Sequence, residues 1–103
     1  MTKIGDYHPR AAGIAWIREE DYAALVAIFE DGHKFEGGWK EWVKRAEKAE
    51  KELKATGCIV ERAYLDPDTF ADWCQRNGVG TGREGRLKFG AEFAATKYGR
   101  NQS

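Results

Sequence analysis

Cysteine and histidine are scarce, two of each in 103 residues, and that scarcity excludes several chemistries at once. Cys58 and Cys74 show no C-x-x-C spacing, and His8 and His33 are isolated, so no zinc ligand set can be drawn. Net charge is missing too. The formal charge is +0 and the isoelectric point is near 6.7, so no overall field draws in nucleic acid or a membrane surface. No hydrophobic run approaches membrane-spanning length, and Met1 to Arg10 is polar and charged rather than an apolar leader. The expectation is a cytoplasmic chain with reduced thiols and no membrane partner. Internal repeats and low-complexity tracts are absent as well.

What is present is aromatic bulk and paired charge. Four Trp, four Tyr and five Phe give one domain enough material for a core without metal or disulfides. The charge is unevenly spread. Residues 1–75 hold 11 Lys/Arg against 15 Asp/Glu, a net −4, and residues 76–103 hold 6 against 2, a net +4. This asymmetry points either to an acidic or nucleic-acid partner at the C-terminal end or to attraction between two ends of one fold.

Periodicity divides the chain. Residues 1–12 have none and read as a flexible arm, residues 13–99 as a single compact domain, and residues 100–103 as a flexible tail. Gly13 to Ile17 is a short apolar run that suits a strand. Arg18 to Asp31 reads as a helix with Tyr22, Leu25, Val26 and Phe29 on one face and Gly32 as its stop. His33 to Gly38 is a loop. Trp39 to Thr56 is the clearest helix, closed by Gly57, with an apolar stripe of Trp39, Trp42, Val43, Ala46, Ala49 and Leu53. Its other face offers the i,i+4 pairs Glu41–Arg45, Glu47–Lys51 and Glu50–Lys54.

Cys58 to Leu65 is the best strand. Asp66-Pro67 then opens a helix that Asn77-Gly78 ends, with Asp66 as N-cap and Gly78 in the left-handed C′ position. The last helix, Gly82 to Tyr98, carries Leu87, Ala91, Ala94 and Tyr98 on one stripe and Phe89 and Phe93 on nearly the opposite side. The fold class is α+β and mostly helical: four helices with a small two-stranded sheet in the order β-α-α-β-α-α. Two strands alone make a poor sheet, so either the helices dominate the core or a second copy completes the sheet.

Gly80-Thr81-Gly82-Arg83-Glu84-Gly85 is a literal G-x-G-x-x-G. The dinucleotide fingerprint needs a strand before the glycines, and a helix precedes them here. No Lys-Ser or Lys-Thr pair follows, which removes a Walker loop, and no acidic residue lies about 20 positions on. Thr81 and Glu84 have capping-box spacing, so the segment reads as helix, glycine turn, helix. A weaker function survives, because N–H groups at a helix N-terminus beside arginines can hold an anion. The candidate residues for anion or nucleic-acid binding are Arg76, Thr81, Gly82, Arg83, Arg86 and Lys88, with Lys97 and Arg100 adding charge.

Catalytic groups do not assemble. A Cys–His nucleophile pair would join Cys58 or Cys74 to His8 or His33, but Cys74 shares a helical face with Phe70 and Trp73, which favours an inert buried thiol. Asp66, Asp68 and Asp72 are explained by helix capping and dipole placement. No cofactor, metal or catalytic residue is assigned.

The motif Trp39-x-x-Trp42 with Ala46-Glu47, then Asp66-Pro67-x-x-Phe70-x-x-Trp73-Cys74, then Gly78 and Arg86-x-x-Phe89, resembles a class of small bacterial proteins of unknown function. The likeness covers about residues 39–93 and implies a bacterial cytosolic domain, with no activity attached. The function expected is a protein–protein interaction module that self-associates as a homodimer through Phe89, Phe93 and Tyr98 on the last helix. The alternative is nucleic-acid or anion binding by the glycine turn and the basic C-terminal helix.

Overall fold

The computed structural model describes residues 10–98. Two strands, β1 (Ala11–Trp16) and β2 (Ile59–Tyr64), pair in parallel from Ala11 opposite Ile59 to Trp16 opposite Tyr64. Parallel pairing demands a long crossover. Here it holds α1 (Tyr22–Ile28) and α2 (Gly38–Ala55), and α3 (Phe70–Arg76) and α4 (Arg83–Lys97) follow β2. The architecture is the expected α+β one, four helices and a two-stranded sheet in the order β-α-α-β-α-α.

Alternation along the strands separates two faces of the sheet. Trp16 and Arg62 face α2. Trp16 meets Trp42 edge to face at 5.3 Å, and the Arg62 guanidinium lies 3.9 Å over the Trp16 ring. Arg62 also forks onto Glu50 of α2 with bonds of 2.8 and 2.9 Å. Gly13, Glu61 and Ala63 face α4. At the Gly13–Gly90 crossing a Cβ on either glycine would strike the other's carbonyl oxygen, so strand and helix backbones touch directly. The order of layers is α2, sheet, α4.

The main core lies beyond the C-terminal ends of the strands. Ile17 and Leu65, the residues next after β1 and β2, cluster with Leu25, Phe29, Phe70 and Cys74, all buried. Phe70 is the hub, with the rings of Phe29 and Phe89 at 5.9 and 5.8 Å in edge-to-face contact and Trp73 stacked at 6.4 Å. The indole N–H of Trp39 donates to the Ile17 carbonyl at 2.8 Å and fixes the start of α2 on this core.

Several boundaries differ from the sequence reading. Ala11 and Ala12, assigned to the arm, pair with β2, while residues 1–9 of that arm and residues 99–103 lie outside the described part. The helix expected over residues 18–31 is a short 3-10 turn, Glu19–Asp21, followed by α1, which ends before Gly32. Phe29 leaves α1 in an extended conformation, ψ 136°, because its ring is held between Phe35 and Phe70. Asp66 turns the chain rather than capping α3 itself: its carboxylate accepts the Asp68 N–H at 2.8 Å, and the helix starts at Phe70. Gly57 and Gly78 do adopt left-handed φ, 92° and 69°, where α2 and α3 end. On α2 the ion pairs formed are Glu41–Lys44, Lys48–Glu52 and Glu50–Arg62; Glu50 is drawn off Lys54 by the better forked partner.

Candidate functional site

The glycine turn is closed by the chain's own carboxylates. A Cβ on Gly80 would collide with the Glu30 carboxyl group, and one on Gly82 would come within 3.2 Å of Glu30 Oε1. Thr81 does not cap α4. Its hydroxyl accepts the Glu30 N–H at 3.0 Å and donates to the Ile28 carbonyl at 2.8 Å, and Gly82 stands at the N-cap with no side-chain bond. The capping-box reading of Thr81 and Glu84 is thereby corrected: the orphan groups past the end of α1 compete for the Thr81 hydroxyl and take it. The turn is a clasp on the end of α1.

Arg86 belongs to the same clasp. Its guanidinium forks onto Asp31 with two bonds of 2.8 Å and lies over the Phe29 and Phe35 rings at 4.6 and 5.1 Å. Both partners are largely covered, at 17% and 23% side-chain exposure. The hydrogen bonds from Arg86, and then its charge, hold the Asp31 carboxyl below the ordinary aspartate range despite burial, which opposes the shift. The folded pKa is depressed, so this pair contributes its stability in full above the unfolded aspartate pKa of about 3.9 and loses it as pH falls through the lower folded value. Asp31→Asn is expected to cost about 1.5–3 kcal/mol at neutral pH, the worth of hydrogen bonds to a charged group. It should also flatten part of the acid limb of a pH-dependent urea titration; an unchanged acid limb would show the pair to be energetically idle.

The other cations of the anion-binding set are dispersed. Arg76 pairs with Asp72 at 2.9 Å, Lys88 lies 3.9 Å from Glu92, and Lys97 bonds Glu61 at 3.2 Å. Arg83 is exposed, and Arg100 is outside the described residues. A phosphate at the glycine turn would meet Glu30 there.

The interface set is divided as well. Phe89 is half-buried, with Phe70 and Trp73 edge-to-face at 5.8 and 5.1 Å, and belongs to the core. Phe93, 39% exposed, lines a shallow groove of about 300 Å³ with Trp73 and Thr96. Tyr98 donates its hydroxyl to Glu61, which lowers the Glu61 pKa and raises that of Tyr98. The buried residues of α4 are Gly85, Gly90 and Ala94, the last alone from the Leu87 stripe, because only residues without bulk let α4 approach the sheet.

Leu87 is instead 58% exposed. It stands in a groove of about 380 Å³ with Ile14 of β1, Trp42, Ala49 and Leu53 of α2, and Arg83. This groove runs along the side of β1 that β2 does not occupy. The Ile59 N–H reaches the Arg10 carbonyl and the Leu65 N–H the Trp16 carbonyl. In a parallel ladder that alternation aims the main-chain groups of Ala11, Gly13 and Ala15 away from β2, toward the free edge. Ala49 and Leu53, two of the six residues in the α2 stripe, are exposed and half-buried respectively. These residues escaped the sequence reading because an apolar stripe gives no sign of which part the chain itself covers.

Cys74 is buried beside Gly85, and burial, with the nearby Glu30 charge, pushes its thiol pKa up, which suits an inert side chain. Cys58 is a free thiol just before β2, and His33 is exposed in the 3-10 turn Gly32–Lys34. His8 lies outside the described residues. Among the described residues no cluster of three or more His, Cys, Asp or Glu could hold a metal, and no helix is long and apolar enough to cross a membrane. No family model, curated protein or solved structure matches the chain.

Proposed function

We propose that this protein is a small cytosolic interaction module that self-associates through the groove on the free edge of β1. The observation that carries this reading is the uncovered apolar groove beside β1, a strand whose one strand neighbour among the described residues is β2. β1 reads Ala-Ala-Gly-Ile-Ala-Trp, with none of the charges or prolines that usually blunt an edge, and its groove is walled by Ile14, Trp42, Leu53 and Leu87. Gly90 of α4 already lies against the Gly13 carbonyl and the Ala15 nitrogen, so the apolar walls of the groove, rather than an added strand, carry the contact. Two unpaired thiols support a reducing compartment. The resemblance to small bacterial proteins supports a bacterial setting. Nucleic-acid binding by the glycine turn and the C-terminal helix is the weaker reading, since Arg86 is held by the largely covered Asp31 and Glu30 lies at the turn.

Substitution separates the candidate surfaces. Leu87→Glu is expected to raise the dissociation constant of the self-complex tenfold or more, about 1.4 kcal/mol or above, by placing a charge in a groove that self-association would bury. Phe93→Glu on the other flank of α4 is expected to leave it within twofold. Sedimentation velocity across a dilution series reads both. Unaltered association of Leu87→Glu would remove the β1 groove from the interface, and loss with Phe93→Glu alone would move the interface to the α3–α4 side.

A further inference from the structure

A second groove, independent of the self-association surface, lies where α2 runs beside β2. It holds about 570 Å³ and gathers five cations: Lys44, Lys48, Lys51 and Lys54 of α2 and Arg62 of β2. Helix geometry makes the lysines a row. At 100° per residue they fall within a wedge of about 120°, and at about 1.5 Å rise per residue they span about 15 Å in steps of about 4.5–6 Å. Two acids share the groove, Glu47 and Glu50. Glu50 is neutralised by the forked Arg62 contact, so the surplus charge is positive and rests on the lysines. Lys44 and Lys48 hold exposed helix partners, Glu41 at 3.3 Å and Glu52 at 3.0 Å, and such surface pairs contribute little and are readily exchanged.

We propose that this groove is a binding site for a linear chain of phosphates, the backbone of a single-stranded nucleic acid. A single row of cations on one helix tracks one strand, and the spacing of the lysines suits an extended phosphodiester chain. Tyr64, two residues beyond Arg62 on the same face of β2 and 41% exposed, adds an aromatic surface on which a base can stack. Arg18 already lies 4.2 Å over that ring and brings a further cation to the same end. The neutral chain as a whole supplies no long-range attraction, so the binding is local and strongly salt-dependent.

The test titrates the full chain into a fluorescent mixed-sequence single-stranded oligonucleotide at several salt concentrations. Three to four phosphate contacts on a single strand give a log–log salt slope of about −2 to −3, so affinity should fall about 20- to 50-fold between about 50 and 200 mM salt. The triple variant Lys48→Gln, Lys51→Gln, Lys54→Gln should lose at least tenfold in affinity and show a slope nearer zero. Circular dichroism and the melting midpoint should be unchanged, because all three side chains are exposed. Arg83→Gln, at the other groove, should bind as the parent does. The proposal is overturned by absence of salt-dependent binding in the parent, by equal affinity in the triple variant, or by binding of inorganic polyphosphate with none of the oligonucleotide.

Discussion

Phe70→Ala is expected to destabilise the protein by about 3–5 kcal/mol, the range for truncating a fully buried aromatic. Phe70 is 1% exposed and touches the rings of Phe29, Trp73 and Phe89, so its loss opens a cavity between α1, α3 and α4 together. Those helices are short or glycine-rich and depend on this hub rather than on their own propensity. A domain of this size has about 5–15 kcal/mol in hand, so the variant should be partly unfolded or melt tens of degrees lower. Phe93→Ala on the exposed flank should shift stability by no more than about 1 kcal/mol. Equal effects from the two would contradict the core as described. Urea unfolding followed by tryptophan fluorescence reads the difference.

Gly90→Ala tests the second feature by the sign of its effect. In a helix interior the change should stabilise by up to about 1 kcal/mol. Here the new methyl would strike the Gly13 carbonyl and lie 3.2 Å from the Ala15 nitrogen, both main-chain atoms of β1 that cannot swing aside. The expected result is a loss of about 1–3 kcal/mol, because overpacking outweighs propensity. Gly13→Ala should be at least as damaging, since its methyl would sit on the Gly90 carbonyl, with the carbonyl carbon 2.7 Å away. Ala91→Gly, one residue along on the exposed side of α4, isolates propensity and should cost about 1 kcal/mol. A more stable Gly90→Ala protein would mean that α4 does not lie on β1 in this way.

Legibility in the sequence followed how local each signal is. The long helix with its Gly57 stop, the Gly78 stop and both strands were readable, because capping and periodicity are set by neighbours in the chain. The early end of α1 was not, since Phe29 leaves the helix to reach Phe35 and Phe70. The role of Thr81 was hidden for the same reason. Its spacing from Glu84 fits a capping box, yet its partners are Ile28 and Glu30, more than 50 residues away. Arg86 read as a surface cation and is instead bound to Asp31 across the fold. For α4, hydrophobic periodicity put Leu87 on an apolar stripe, whereas close backbone contact buries Gly90 and leaves Leu87 in the groove. A glycine that serves as contact surface has no signature in hydrophobic periodicity.

The G-x-G-x-x-G string illustrates how far a motif depends on its setting. Packing requires Gly85, which lies against the Gly80 carbonyl and the Cys74 sulfur, whereas Gly80 and Gly82 face only the movable end of the Glu30 side chain. The carboxyl group beside the turn is the chain's own Glu30. The uncovered apolar space is elsewhere, beside β1 between α2 and α4, where Ile14, Leu53 and Leu87 line a groove. The mass of the full chain in solution tests that account most directly. Light scattering over a range from nanomolar to hundreds of micromolar should show the mass climbing from 11.6 kDa toward twice that value, and in Leu87→Glu the climb should move to at least tenfold higher concentration. A constant monomer mass across the whole range would contradict self-association through the β1 edge.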